Sequence, residues 1–166
     1  MKTITLEQFL TFEPCWLEDE RGRERLERIA ARKVEWTALD VLRLPDDEVS
    51  PADKLWVVLR KEFIDARTLH EFACICAERA LTLAHVKDER CWNAIKSKRA
   101  WLRGEISDDE LAAAWDAAWD AASAAASDAA YNAASDAWRA ADSAAERKWQ
   151  CEKLIELLES EGKTYE

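Results

Sequence analysis

An alanine-rich run in the second half of the sequence constrains the fold more than any other feature. Nineteen of the residues from Ala112 to Arg147 are alanine, the residue with the highest helix propensity. No Gly or Pro occurs between Gly104 and Gly162, and these two residues are the ones that most often interrupt helices. The run therefore predicts either one helix of about 50 residues or a helical hairpin. If it is interrupted, we expect the break within Ser123–Asn132, because Ser, Asp and Asn side chains compete with the helix backbone for hydrogen bonds.

The composition extends this prediction to the whole chain. The 166 residues include only three Gly and three Pro, too few for the many turns of a β-rich fold. Hydrophobic residues make up 49% and charged residues 35% of the chain, which is typical of a folded globular protein. We predict an all-α, single-domain helical bundle. In it an N-terminal helical region, residues 1–106, precedes the long alanine-rich segment, residues 107–160.

Several helix signals support this organisation. Thr5 with Gln8 and Ser107 with Glu110 have the spacing of capping boxes. Ser50-Pro51 places a capping residue before a first-turn proline. Asp88 predicts the start of another helix, and Gly104 predicts its end in the C′ position. One or two helices are expected across residues 21–44. From Asp65 to Leu83 apolar residues recur every three or four positions. The expected buried face of that helix consists of Leu69, Phe72, Ala73, Cys76, Ala80 and Leu83.

The sequence indicates a cytoplasmic protein without a membrane-spanning segment. The N-terminus lacks the apolar core and cleavage site of a signal peptide, and no stretch approaches the length of a transmembrane helix. The five cysteines are an odd number without framework spacing, so we expect reduced thiols. They are Cys15, Cys74, Cys76, Cys91 and Cys151.

Groups for catalysis or cofactor binding are scarce. His70 and His85 are the only imidazoles, and neither has a recognisable orienting partner in sequence. Cys-x-x-Cys, His-x-x-x-His and Gly-rich phosphate loops are missing. We therefore predict no catalytic residue, no metal site and no cofactor.

Charge is divided between two neighbouring segments. Residues 86–103 carry a net charge of +4 and residues 104–146 a net charge of −9, so an antiparallel pair of helices would neutralise itself. Four aspartates occupy one phase of a four-residue repeat and have no lysine at i+4. We predict that they face either the basic Lys96–Arg103 helix or a basic partner. They are Asp116, Asp120, Asp128 and Asp136.

Nine tryptophans are many for this length, and Trp is enriched in interface hot spots. Trp36, Trp56 and Trp92 fall among apolar neighbours and are expected in the core. The aromatic residues of the alanine-rich segment either pack against the first hundred residues or bind a partner. The candidate partner-binding residues are Trp115, Asp116, Trp119, Asp120, Asp128, Tyr131, Asp136 and Trp138.

A second candidate site mixes basic and aromatic residues, a combination that can hold a nucleotide by charge and stacking. It consists of Lys96, Lys98, Arg99, Trp101 and Arg103. The net charge of the chain is −10, which opposes direct nonspecific binding to nucleic acid.

Three stretches of the sequence carry a family resemblance. They are Cys76-Ala-Glu-Arg-Ala-Leu81, then Asp88-Glu-Arg with Asn93-Ala-Ile95, and then Trp101-Leu-Arg-Gly-Glu-Ile-Ser-Asp-Asp-Glu-Leu-Ala-Ala-Ala114. In this order they resemble a family of alanine-rich helical immunity proteins of bacteria and phages, which are grouped with the neutralisers of polymorphic toxins. The resemblance spans residues 69–147. It implies an inhibitory binding protein whose partner is a toxin or a bacterial defence effector, CRISPR effectors included.

Three functional hypotheses follow. The first is a protein-binding inhibitor, an immunity or phage anti-defence protein whose partner has a basic surface. The second is a small-molecule sponge for a nucleotide signal. The third is a structural protein that forms homodimers through a seam of the alanine-rich segment. That seam runs through Leu111, Trp115, Trp119, Ala122, Ala126, Ala133, Ala137, Ala144, Cys151, Ile155 and Leu158.

Overall fold

The fold was analysed in a computed structural model that describes residues 2–14, 17–18, 20–124 and 143–162. Within these ranges the chain forms eight α-helices and one small sheet, which confirms the predicted all-α class. The helices are α1 Leu6–Leu10, α2 Glu20–Ala30, α3 Ala38–Leu42, α4 Pro51–Val58, α5 Ala66–Leu83, α6 Glu89–Leu102, α7 Asp108–Ala124 and α8 Ala144–Gly162. The strands are β1 Thr3–Thr5 and β2 Glu35–Thr37.

The chain divides into two compact units. Unit 1 combines the chain up to Ala66 with the segment from Cys151 onward, and unit 2 spans Arg67–Gln150. The boundary expected from sequence, between residues 106 and 107, falls inside unit 2. It coincides with the loop between α6 and α7.

In unit 1 a short strand pair precedes two short helices. β1 and β2 are antiparallel, with Ile4 opposite Trp36. Each strand ends in a threonine that caps the next helix: Thr5 in a capping box with Gln8, as predicted, and Thr37 in a second box with Asp40. Only helix was expected across residues 21–44, and this was wrong for residues 35–37, which form β2. The β-branched and aromatic residues there favour a strand, and Thr37 then begins a new helix.

The core of unit 1 is apolar and includes one cation. The side chain of Lys54 is only 2% exposed and pairs with Asp46. The thiol of Cys151 donates to the carbonyl oxygen of Pro51 over 3.5 Å. The surrounding core consists of Ile4, Phe9, Ile29, Ala38, Val41, Leu42, Leu55, Val57, Val58, Phe63, Ile64, Leu154 and Leu158. The predicted cap at Ser50 is confirmed, since its Oγ accepts from the backbone N–H of Asp53.

Two expectations about buried residues were wrong. Trp56, expected in the core, is 40% exposed on α4, and the Arg60 guanidinium lies over its ring at 4.3 Å. On α5, Thr68, Phe72 and Cys74 are buried, whereas three residues of the expected apolar face are exposed: Ala73, Ala80 and Leu83. The error arose because alanine and cysteine fit either side of a helix, so their spacing did not fix which side faces the core.

The alanine-rich segment is not one continuous helix from Leu111 to Leu158. A new helix, α8, begins after Ser143, whose Oγ accepts from the backbone N–H of Glu146 over 3.1 Å. Ser123 lies within α7. The rest of the expected break falls largely on 125–142, which lie outside the described residues.

Candidate partner-binding surface

Helices α6 and α7 form a closely packed hairpin in unit 2. Asp88 caps the start of α6, and Gly104, with φ of +74°, follows its end. Ser107 and Glu110 then form the predicted capping box at the start of α7. These signals were correctly predicted, and they bring the basic and acidic segments side by side.

One side of α7 is built from alanine and is the less exposed side of the helix. Ala121 is 2% exposed, and Ala114, Ala117 and Ala118 are half-buried. Small side chains allow two helix backbones to approach closely, and α6 is the helix that α7 contacts. The alanines of α7 therefore allow this helix to pack closely against α6 in the hairpin.

The opposite side of α7 presents two tryptophans. Trp115 is 58% exposed and Trp119 is 75% exposed. The two residues are one turn apart and project within about 40° of each other. The sequence left two alternatives for these indoles, and their exposure disfavours packing against the first hundred residues, because more than half of each residue's surface remains accessible.

Asp116 and Asp120 are exposed beside these indoles. They lie about 100° around the helix from Trp115 and Trp119, respectively, so they flank the aromatic pair. We call Trp115, Asp116, Trp119 and Asp120 the α7 face. It is half aromatic and half anionic.

Asp120 lies near a basic residue of α6. The pKa of Arg90 is raised mainly because Arg90 donates two side-chain hydrogen bonds to Asp88, and the negative charge of Asp120 adds to this effect. Arg90 is close to the start of α6 and outside Lys96–Arg103, so the expectation that the aspartates face that stretch or a basic partner stays a prediction. The antiparallel hairpin explains this position, because the end of α7 returns to the beginning of α6.

The other predicted partner-binding residues are Asp128, Tyr131, Asp136 and Trp138. All four lie outside the described residues, as do Ala126, Ala133 and Ala137 of the proposed self-association seam. Two further seam residues, Cys151 and Leu158, are buried. The seam is therefore not one exposed stripe.

The two arginines of the second candidate site are engaged within unit 2. Arg99 bonds Glu71 through Nε at 2.7 Å and also pairs with Glu78, so its pKa is raised chiefly by Glu78. Arg103 bonds Glu105 at 2.6 Å. A phosphate at this site would have to displace these carboxylates.

Trp101 is also engaged in unit 2. Lys98 Nζ lies 3.9 Å from the centre of the Trp101 ring, and the indole N–H of Trp101 donates to the Asp108 carboxylate over 2.6 Å. The ring of His70 meets it edge-on, with centroids 5.8 Å apart. Lys96 is exposed on the same helix. Lys98 and Trp101 thus contact each other, so a cation of the same chain already covers one face of the indole ring.

The thiols of α5 are not activated. Burial is the main cause that raises the pKa of Cys76 to about 11, and the Glu146 carboxylate adds to it. Burial likewise raises the pKa of Cys74. The described cysteines, Cys74, Cys76, Cys91 and Cys151, are reduced thiols. A thiol with a raised pKa is a poor nucleophile at neutral pH.

No group of three or more His, Cys, Asp or Glu side chains among the described residues is arranged to hold a metal ion. In the same part of the chain, no helix combines the length and the apolar character needed to cross a membrane.

Comparisons of the chain with models of protein families, with curated proteins and with solved structures found no match. The likeness to immunity proteins therefore remains a resemblance carried by the residues quoted above.

Proposed function

We propose that this protein is a protein-binding inhibitor that acts in the cytoplasm, an immunity protein or a phage anti-defence protein. It blocks a bacterial toxin or a defence effector, of which a CRISPR effector is one kind, by direct binding. The observation that carries the proposal is the α7 face, where two largely exposed tryptophans stand beside two aspartates.

The two exposed indoles do not stabilise α7 as a folded helix. Alanine has a higher helix propensity than tryptophan, and leaving a large apolar side chain in water forgoes about 2–3 kcal/mol of burial. With 58% and 75% of their surfaces exposed, Trp115 and Trp119 leave most of this burial unrealised on α7. A partner that covers the pair would recover it, as tryptophans at the centre of interfaces do.

The aspartates indicate the charge of the partner. Asp116 and Asp120 add negative potential next to the aromatic pair, and the whole chain has a net charge of −10. Such a surface attracts a positively charged one and speeds the encounter. Toxins and effectors that act on nucleic acid carry basic grooves for phosphate, and occupation of such a groove by the α7 face would block the substrate.

The test compares the parent chain with W115A/W119A as bait in lysates of several bacteria. The matched control is W56A, which removes another exposed indole from a different helix. A captured protein is identified and purified, and its activity is measured with equimolar parent chain. We expect capture and inhibition with the parent and with W56A, and loss of both with W115A/W119A. Equal capture by all three baits, or capture without inhibition, would contradict the proposal.

Two further measurements separate the roles of charge and of the indoles. D116N/D120N should slow association with the captured protein, and binding of the parent should weaken as salt rises. Light scattering that shows a homodimer of the parent and a monomer of W115A/W119A would instead assign the indoles to self-association.

A further inference from the structure

Four arginines form a row along one side of α2 and in the turn that follows it. Arg21, Arg25 and Arg28 lie on α2, four and three residues apart, and project within about 60° of each other. Arg32 follows four residues after Arg28, in the turn after Ala30. The glutamates of α2 stand on an adjacent side. A row of guanidinium groups is unexpected in a chain with a net charge of −10.

The arginine row lines a concave surface. All four arginines border an open cavity of about 480 Å³, whose other side is formed by Asp47 and Glu48. Gly22 and Ile29 contribute the apolar part of the lining. This volume falls within the range of small-molecule sites, about 300–1,000 Å³.

One carboxylate holds the end of the row in place. Glu48 accepts a hydrogen bond from Arg32 Nη2 over 2.9 Å, and its other oxygen lies 2.8 Å from Arg32 Nη1. The bond to Arg32 is the main reason why the pKa of Glu48 is lowered, and the charge of Arg28 adds to it. Arg21 and Arg28 are exposed at the cavity. With four cations and two carboxylates, the lining keeps a positive balance.

We propose that this cavity binds a small oligophosphate, a ligand with at least two linked phosphate groups. The planar guanidinium fork matches phosphate oxygens in a bidentate manner. Successive arginines about one helical turn apart can hold neighbouring phosphates of one short chain. The acidic charge of the whole protein opposes a long polynucleotide, and the size of the cavity fits a small molecule.

Calorimetric titration at low salt with inorganic tripolyphosphate and with a nucleoside triphosphate tests the proposal. We expect dissociation constants below about 100 μM. R21Q/R28Q should weaken binding at least about tenfold, because each substitution removes a charge-assisted contact. The matched control R67Q/R90Q removes two exposed arginines from unit 2 and should leave affinity within about twofold.

Thermal unfolding checks that the variants are folded. If R21Q/R28Q does not fold, R21K/R28K replaces it; this variant keeps the charge, loses the bidentate fork and should also bind more weakly. Tighter binding of the nucleoside triphosphate than of tripolyphosphate would extend the site to the nucleoside. Absence of binding of either ligand at about 1 mM, or equal weakening by R21Q/R28Q and by the control, would overturn the proposal.

Discussion

The guanidinium of Arg79 lies over the indole of Trp149, with its central carbon 4.0 Å from the ring centroid. The same guanidinium donates from Nε to both carboxylate oxygens of Glu146, at 2.7 and 3.0 Å. Glu146 is 7% exposed. Arg79 therefore ties α5 to the start of α8 and compensates a buried negative charge.

Replacement of Arg79 by methionine should destabilise the protein. The variant keeps an apolar chain against Trp149 but leaves the Glu146 carboxylate buried without its cation. We expect a loss of about 2–4 kcal/mol in the free energy of unfolding, measured in denaturant. The double variant R79M/E146Q removes the unpaired charge and should recover part of the loss. If R79M alone unfolds like the parent, the ion pair does not contribute to stability.

Arg99 offers a test of geometry at constant charge. It joins Glu71 and Glu78, two turns apart on α5, to α6, and a lysine cannot reproduce this fork. We expect R99K to lower the free energy of unfolding by about 1 kcal/mol. In the control R103K, the pair with Glu105 is exposed on both sides, and the change should stay within about 0.5 kcal/mol.

Cys76 should react slowly with alkylating reagents. The folded protein raises its pKa from 9.0 to about 11, so the thiolate fraction near pH 8 falls about a hundredfold. Alkylation with iodoacetamide, mapped by mass spectrometry, should be slower by at least this factor than in denaturant. E146Q removes a nearby negative charge and should speed the reaction in the folded state. A rate equal to that of the unfolded chain would contradict this prediction.

Asp40 should make stability depend on pH at the acidic end. Burial opposes its ionisation, but hydrogen bonds from Lys33 and Thr37 outweigh this and lower its pKa from 3.8 to about 2. Because the folded-state pKa is lower than the unfolded one, the stabilisation is complete above pH 4 and is lost as the pH falls towards 2. Denaturant unfolding across this range should show a shallower pH dependence for D40N than for the parent. D116N, which removes an exposed carboxylate, should keep the parent's dependence.

Local signals in the sequence predicted the ends of helices well. Thr5, Ser50 and Asp88 all begin helices where expected, and Gly104 follows the end of α6. These signals act through hydrogen bonds within a few residues, so they are readable without knowledge of the fold. The charge partition likewise anticipated a hairpin of α6 and α7.

Contacts between distant residues were harder to predict. The β1–β2 pair joins residues 30 to 34 positions apart, from Thr5 with Glu35 to Thr3 with Thr37, and two three-residue strands leave little periodicity. On α7 the sequence indicated Trp115 and Trp119 as candidate binding residues, but it did not show whether they are buried or exposed. Alanine occurs both in the core and on the surface, so the neighbouring residues do not mark either side of the helix. The spacing of the arginine row of α2 is visible in the sequence, but no site was predicted from it. The cavity beside the row is also lined by Asp47 and Glu48, and only the fold brings these two residues near the arginines.

The two-part composition of unit 1 has a consequence for folding during synthesis. Leu154 and Leu158 complete a core whose other members precede Ala66, and Arg43 pairs with Glu159 across 116 positions of sequence. Residues 2–66 therefore leave the ribosome with part of their apolar surface uncovered, and at about 5–20 residues per second they wait several seconds for α8. Unit 2 is made from one uninterrupted stretch, so it can close before unit 1 is complete, although most of unit 1 is translated earlier.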